Sequence, residues 1–223
     1  MFYSLSIFAL CLALLFIVYK MVYHQKNILF FGDSITQQGV EANGYIIQLQ
    51  QLLPEQIVKK YNLIGAGIGG NKITDLYNRL PSLLAHKPSI VIIFIGINDV
   101  WHKQTIGGTD AATFETTYQA IIDELVRENC KIMLCTPTVI GELPNNQNNL
   151  DADLDDYTTI ITQLGVKNVL PIAHLRKAFT YYINQHNQLA NYKGLLTTDG
   201  VHLNQKGNQL VAETMATQLI NIL

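Results

Sequence analysis

Apolar and polar positions along the chain change period repeatedly, and each change marks a new element. Short runs rich in branched and aromatic residues read as strands: Asn27 to Phe31 (NILFF), Ser89 to Ile95 (SIVIIFI) and Lys131 to Cys135 (KIMLC). Further strands are expected within Ile57 to Ile64 and over Asn168 to Ile172. Between these runs, apolar residues recur at helical spacing over Tyr45 to Leu53, Phe114 to Glu128, Leu154 to Leu164 and Leu175 to Ile183. Two helices show a clear inner stripe. Ile73 to Leu84 presents Leu76, Leu80, Leu83 and Leu84, and Gln205 to Leu223 presents Val211, Met215, Leu219 and Ile222. The unbroken apolar character of Ser89 to Ile95 suits a central parallel strand covered on both faces. Strand alternating with helix implies right-handed crossovers. The expected fold class is therefore α/β: a three-layer α/β/α domain over residues 27–223 with a central parallel five-stranded sheet.

Residues 1–23 depart from this alternation. Phe2 to Val18 carries no charge, and Tyr19, Met21, Val22 and Tyr23 continue the apolar run past Lys20. With Lys20 snorkelling, that length suffices to cross a hydrocarbon core of about 30 Å as one helix. Neither a basic start nor a small-x-small cleavage site precedes Asn27, so an uncleaved N-terminal transmembrane anchor is expected in place of a signal peptide. Lys20 and Lys26 follow the span and no basic residue precedes it, which by the positive-inside tendency places the domain in the cytoplasm.

Charge and cysteine content remove several function classes. Fifteen Lys and Arg against 17 Asp and Glu leave a formal net charge of -2, so no basic field attracts nucleic acid. Cys130 and Cys135 flank a short strand and sit too far apart to bond, while Cys11 lies in the hydrophobic terminus. No Cys-x-x-Cys or His-x-x-x-His pair suggests zinc, and neither metal nor cofactor is expected. The run Asp151, Asp153, Asp155, Asp156 lacks the glycine and terminal Glu of a calcium loop and reads as an acidic helix start. Pro137 to Asn149 (PTVIGELPNNQNN) is a long linker, either bordering a functional cleft or forming a plain surface loop.

Candidate chemistry lies where ligands of such sheets bind, beyond the carboxyl ends of the strands. Gly32-Asp33-Ser34 follows the first strand and makes Ser34 a candidate nucleophile, although a Gly-Asp-Ser turn can equally cap a helix. A serine needs a base to take its proton and the base needs an orienting group. Asp199-Gly200-Val201-His202 supplies both before the last helix, where a simple turn is the alternative. Two loops offer donors for a developing oxyanion: Gly67 to Asn71, through Gly70, and Gly96 to Asp99, through the Asn98 amide. Trp101 and His102 follow the latter loop and are candidates for substrate contact or for a surface role.

Taken together and in order, these four blocks resemble those of the SGNH hydrolases, the GDSL-type esterases and lipases, from about Asn27 to the C-terminus. The resemblance implies a flavodoxin-like fold and hydrolysis of a carboxylic ester through an acyl-enzyme, with no cofactor. Ser34 would attack, His202 would serve as general base and acid, and Asp199 would orient it. The oxyanion hole would comprise the N–H groups of Ser34 and Gly70 and the side chain of Asn98. One departure is Gly65, where the family commonly has an Asn. Asp33 and Asp99 are expected to hold their loops by bonding backbone N–H groups. Family members often work outside the cytoplasm, which opposes the charge-based orientation. Short-chain esters, thioesters, lysophospholipids and acetylated sugars all suit the machinery. The alternatives are a membrane-tethered acyltransferase and a non-catalytic binding module on the same fold.

Overall fold

The computed structural model describes residues 25–223, so the expected anchor over residues 1–23 lies outside the described residues. Among the described residues no helix is long and apolar enough to cross a membrane. Five parallel strands form one sheet: β1 (Lys26–Gly32), β2 (Tyr61–Gly67), β3 (Pro88–Phe94), β4 (Lys131–Cys135) and β5 (Ile172–Ala173), in the order β2-β1-β3-β4-β5. Ile28 to Phe31 of β1 and Ile90 to Phe94 of β3 are buried on both faces, as their unbroken apolar runs predict.

The strand order reverses between β1 and β3. Right-handed crossovers then send the connections from these two strands to opposite faces and leave a crevice between their carboxyl ends. Helices α1 (Ser34–Gln38), α2 (Tyr45–Leu52) and α3 (Glu55–Lys60) link β1 to β2, and α4 (Ile73–Leu84) links β2 to β3. The chain continues through α5 (Ile97–Trp101), α6 (Ala111–Arg127), α7 (Asp151–Lys167), α8 (Leu175–His186) and α9 (Gln205–Leu219). Helix α9 packs against α2 and α8, while α6 packs against α4 and α7, giving the two outer layers.

Several expected boundaries shift for local reasons. Ile57 to Ile64 does contain a strand, but its first part is helical. Pro54 starts α3, Glu55 sits in its first turn, Lys59 and Lys60 sit in its last, and Glu55 pairs with Lys59 at 2.6 Å. Strand β2 accordingly starts at Tyr61 and runs on to Gly67, where α1 and the residues after it lie against Gly67 and Gly65 and leave no room for side chains. Gly65 faces Val40 and Ile46 in that contact, which accounts for the missing Asn. The strand expected from Asn168 contracts to Ile172–Ala173 because the preceding residues close α7. Asn168 N–H donates to Leu164 O at 3.0 Å, Val169 adopts φ 55, and Leu170 N–H donates to Gly165 O at 2.8 Å. The last helix stops at Leu219, short of Leu223.

The acidic run is more than a helix start. Asp151 is buried and pairs with Arg176 Nη2 at 2.8 Å, and Asp155 meets Arg176 Nε at 2.7 Å. The long linker is likewise not a plain surface loop in its first half: Val139, Ile140 and Glu142 are all buried.

Candidate active site

Strand β1 ends at Gly32, where a side chain would collide with the Phe94 carbonyl and Thr36. Asp33 then caps α1, accepting from Ile35 N–H at 2.9 Å, and leaves Ser34 at the sheet's carboxyl edge. Burial pushes the Asp33 carboxyl up to about 7, with neighbouring Asp99 adding to the effect and the Ile35 and His202 interactions opposing it. Opposite Ser34 stands the turn before α9, whose bend needs Gly200 at φ 104.

Ser34 Oγ lies 3.0 Å from His202 Nε2, and His202 Nδ1 lies 2.7 Å from Asp199 Oδ2. The other Asp199 oxygen accepts from Val201 N–H at 2.9 Å and His202 N–H at 2.8 Å. Partial burial pushes the Asp199 carboxyl up, but the His202 ring and these two N–H donors outweigh it and hold the group below the usual carboxylate range. An ionised Asp199 only accepts, so Nδ1 carries the ring proton. Nε2 is then free to accept from the serine hydroxyl.

The two donor loops meet beside this relay. Gly70 adopts φ 77 in open space, and an ideal Cβ on Gly69 would lie 3.9 Å from Ser34 Cβ. Gly69 N–H donates to Gln37 Oε1 at 2.7 Å. Among the described residues, the N–H groups of Ser34 and Gly70 are bound to no other group. Asn98 is buried and donates from Nδ2 to Asn71 O at 3.0 Å, which leaves its second amide hydrogen free. Asp99, buried and pushed up to about 6 by that burial, accepts from Ile73 N–H at 3.1 Å. Asp33 and Asp99 thus each hold a loop.

Trp101 stands at the edge of the relay, its ring centroid 6.4 Å from that of His202 in an edge-on contact. His102 lies beyond it, 6.0 Å from the Trp101 ring, and makes no hydrogen bond to Ser34, His202 or Asp199. Burial, with Lys72 nearby, pulls the His102 imidazole below its ordinary range. Two groups hydrogen-bonded to the loops of the site carry little signal in the sequence pattern. Arg79 donates to Asn71 Oδ1 and to Gly32 O, tying the Gly70 loop to the strand before Ser34. The signal for it is a cation on the apolar face of α4, three residues after Leu76 and four before Leu83. Glu142, buried in the linker, gave no sequence signal beyond the length of the linker itself.

With this geometry in view, similarity to known proteins becomes informative. Residues 30–210 match the model of the GDSL-like Lipase/Acylhydrolase family. An acetylxylan esterase of Geobacillus stearothermophilus is 26% identical over 215 residues, covering 87% of this chain and 94% of its own. A GDSL esterase/lipase of Arabidopsis thaliana is 22% identical over 209 residues, covering 87% of this chain and 86% of its own. Among solved structures, the acetyl xylan esterase AlAXEase superposes with a TM-score of 0.82 at 46% identity, covering 86% of this chain and 98% of that one.

Proposed function

The chain belongs to the GDSL-like lipase and acylhydrolase family, the SGNH hydrolases, and hydrolyses carboxylic esters; we propose that it does so with Ser34 as nucleophile, on O-acetyl groups carried by a carbohydrate. As Ser34 Oγ attacks the acyl carbon, its proton passes to His202 Nε2 and the carbonyl oxygen takes up the negative charge. Ser34 N–H, Gly70 N–H and Asn98 Nδ2 donate hydrogen bonds to that oxygen. His202 then gives its proton to the departing sugar oxygen, and the carbon–oxygen bond to the sugar breaks. Water attacks the acyl-enzyme with His202 again as base, releasing the acid and restoring Ser34. Asp199 keeps the imidazole in the productive tautomer and balances the imidazolium.

The observation that carries the mechanism is the relay of 3.0 Å and 2.7 Å through His202. Similarity to AlAXEase supports an acetylated xylan or related glycan as substrate. Trp101 beside His202 supports a rim where an apolar sugar face packs. The uncharged run Phe2 to Val18 supports membrane attachment. Because β1 leads from Lys26 to the Ser34 edge, attachment through its amino end would turn the site away from the bilayer and toward a polymer.

Acetate release from acetylated xylo-oligosaccharides tests the reading. The full chain is expected to be active, and Ser34→Ala to lose about 1,000-fold or more in kcat. Near wild-type turnover by Ser34→Ala would remove the nucleophile assignment, and preference for a long-chain acyl ester would remove the substrate assignment. For attachment, the full chain should sediment with membranes while a fragment beginning at Tyr23 stays soluble with equal kcat/KM. A soluble full chain would overturn it.

A further inference from the structure

We propose that Glu142 is a positioning residue for the reaction, setting the height and orientation of the Asp199–His202 turn against Ser34. The inference rests on the Ser34–His202–Asp199 reading. Glu142 is fully buried, and four donors from a segment more than fifty residues away converge on its carboxylate. Leu195 N–H reaches Oε2 at 2.7 Å; Leu196 N–H at 2.7 Å, Thr197 N–H at 2.5 Å and the Thr197 hydroxyl at 2.8 Å all reach Oε1. Among the described residues it has no ion-pair partner, so its charge is balanced by these dipoles.

The bonds go on from the carboxylate into the turn. Thr197 Oγ1, having given its hydrogen to Glu142, accepts from Gly200 N–H at 3.1 Å. Thr198 N–H donates to His202 O at 2.8 Å, Thr197 bridges Leu203, and Asn204 N–H donates to Leu196 O at 3.0 Å. The residue before Glu142 holds the other side of the same turn, since Gly141 N–H donates to Gly200 O at 2.7 Å. Tyr192 covers that junction: an ideal Cβ on Gly200 would fall 2.6 Å from its ring. The linker therefore grips the turn at its base through Glu142 and near its apex through Gly141. Asp199 and His202 lie between the two grips.

Replacing one carboxylate oxygen with an amide puts a donor against backbone donors, so Glu142→Gln releases the base while keeping the side chain's shape. A displacement of about 1 Å at a reacting group costs on the order of 100-fold in rate. In full-length protein, Glu142→Gln is expected to lower kcat by about 10- to 100-fold with KM within about twofold, and to slow fluorophosphonate labelling of Ser34 in proportion. Thr197→Val, which removes only the hydroxyl relay, is expected to lower kcat by about 3- to 10-fold. Leu83→Ala on α4 is the stability control, lowering the melting temperature while leaving kcat unchanged. Unchanged kcat in Glu142→Gln, or in Thr197→Val where the former does not fold, would overturn the proposal. Full activity in Ser34→Ala, measured alongside, would instead remove the triad reading beneath it.

Discussion

Arg79 donates from Nε to the side-chain oxygen of Asn71 at 2.7 Å, so a cation of helix α4 holds the loop that presents Gly70. The same guanidinium places Nη2 2.8 Å from Gly32 O and lies 4.5 Å from the Phe31 ring centroid. Its fork spans the Asn71 loop and the end of β1, which no single ammonium can bridge in the same geometry. Arg79→Lys is expected to lower kcat by about 10-fold and Arg79→Ala by about 100-fold. Losing two charge-assisted bonds should also cost Arg79→Ala about 2–4 kcal/mol of unfolding free energy. Steady-state kinetics and urea melts check both, and wild-type kcat in Arg79→Ala would show that the Gly70 loop holds itself.

Asn98 stands downstream of that tie. One amide hydrogen is committed to Asn71 O at 3.0 Å, and the other is available to an oxyanion. Asn98→Ala is expected to reduce kcat by about 100- to 1,000-fold, the usual cost of one oxyanion donor. Since the bond forms fully only in the transition state, KM should stay within about threefold. A rise in KM with kcat preserved would place Asn98 in ground-state binding instead.

Arg176 and Asp151 form a buried pair at 2.8 Å, with Asp155 as second partner. Removing one member strands the other in a low-dielectric interior. Arg176→Ala is therefore expected to cost about 3–5 kcal/mol, and for a domain of this size roughly 10 °C in melting temperature. Replacing Arg176 by Met and Asp151 by Leu together should recover much of the loss, because no uncompensated charge remains buried there. Calorimetry of the single and double variants decides the matter; equal losses would mean that packing at Arg176, not charge, sets the cost.

The parts of this molecule that could be read from sequence are those fixed by local pattern or by reaction chemistry. Short runs of branched and aromatic residues located β1, β3 and β4, and a 3.6-residue period located α4. The need for nucleophile, base, orienter and donor made Ser34, His202, Asp199, Gly70 and Asn98 candidates, which the resemblance of the four ordered blocks to a known family then selected. Ser34, His202 and Asp199 are hydrogen-bonded in series beyond the carboxyl end of β1. Ile57 and Val58 misled because two branched residues look the same in a short helix and a strand, and only Pro54, Glu55 and the following lysines mark α3. Strand β5 shrank because a left-handed Val169 is not visible in residue types. Glu142, Arg79 and Arg176 act across separations of 53, 47 and 25 residues, where periodicity carries no information.

Asp33 makes the fold sensitive to pH in a direction opposite to most surface carboxylates. Burial raises its pKa from 3.8 in an ordinary setting to about 7 in the folded protein, with Asp99 contributing and His202 opposing. Between about pH 4 and pH 7 the unfolded chain has released this proton while the folded chain retains it, so stability falls as pH rises through that window and levels off above it. Asp99, raised to about 6, adds a fall in the same sense at lower pH. Asp199 acts oppositely: its depressed carboxyl contributes stability at neutral pH that disappears in acid. Asp33→Asn keeps an oxygen for Ile35 N–H and removes the ionisation. The variant should match wild type near pH 4 and exceed it progressively up to about pH 7, by as much as roughly 4 kcal/mol. Melting temperatures of both proteins from pH 4 to pH 8 give the difference curve. A curve that is flat across that range would show that the Asp33 carboxyl ionises freely in the fold.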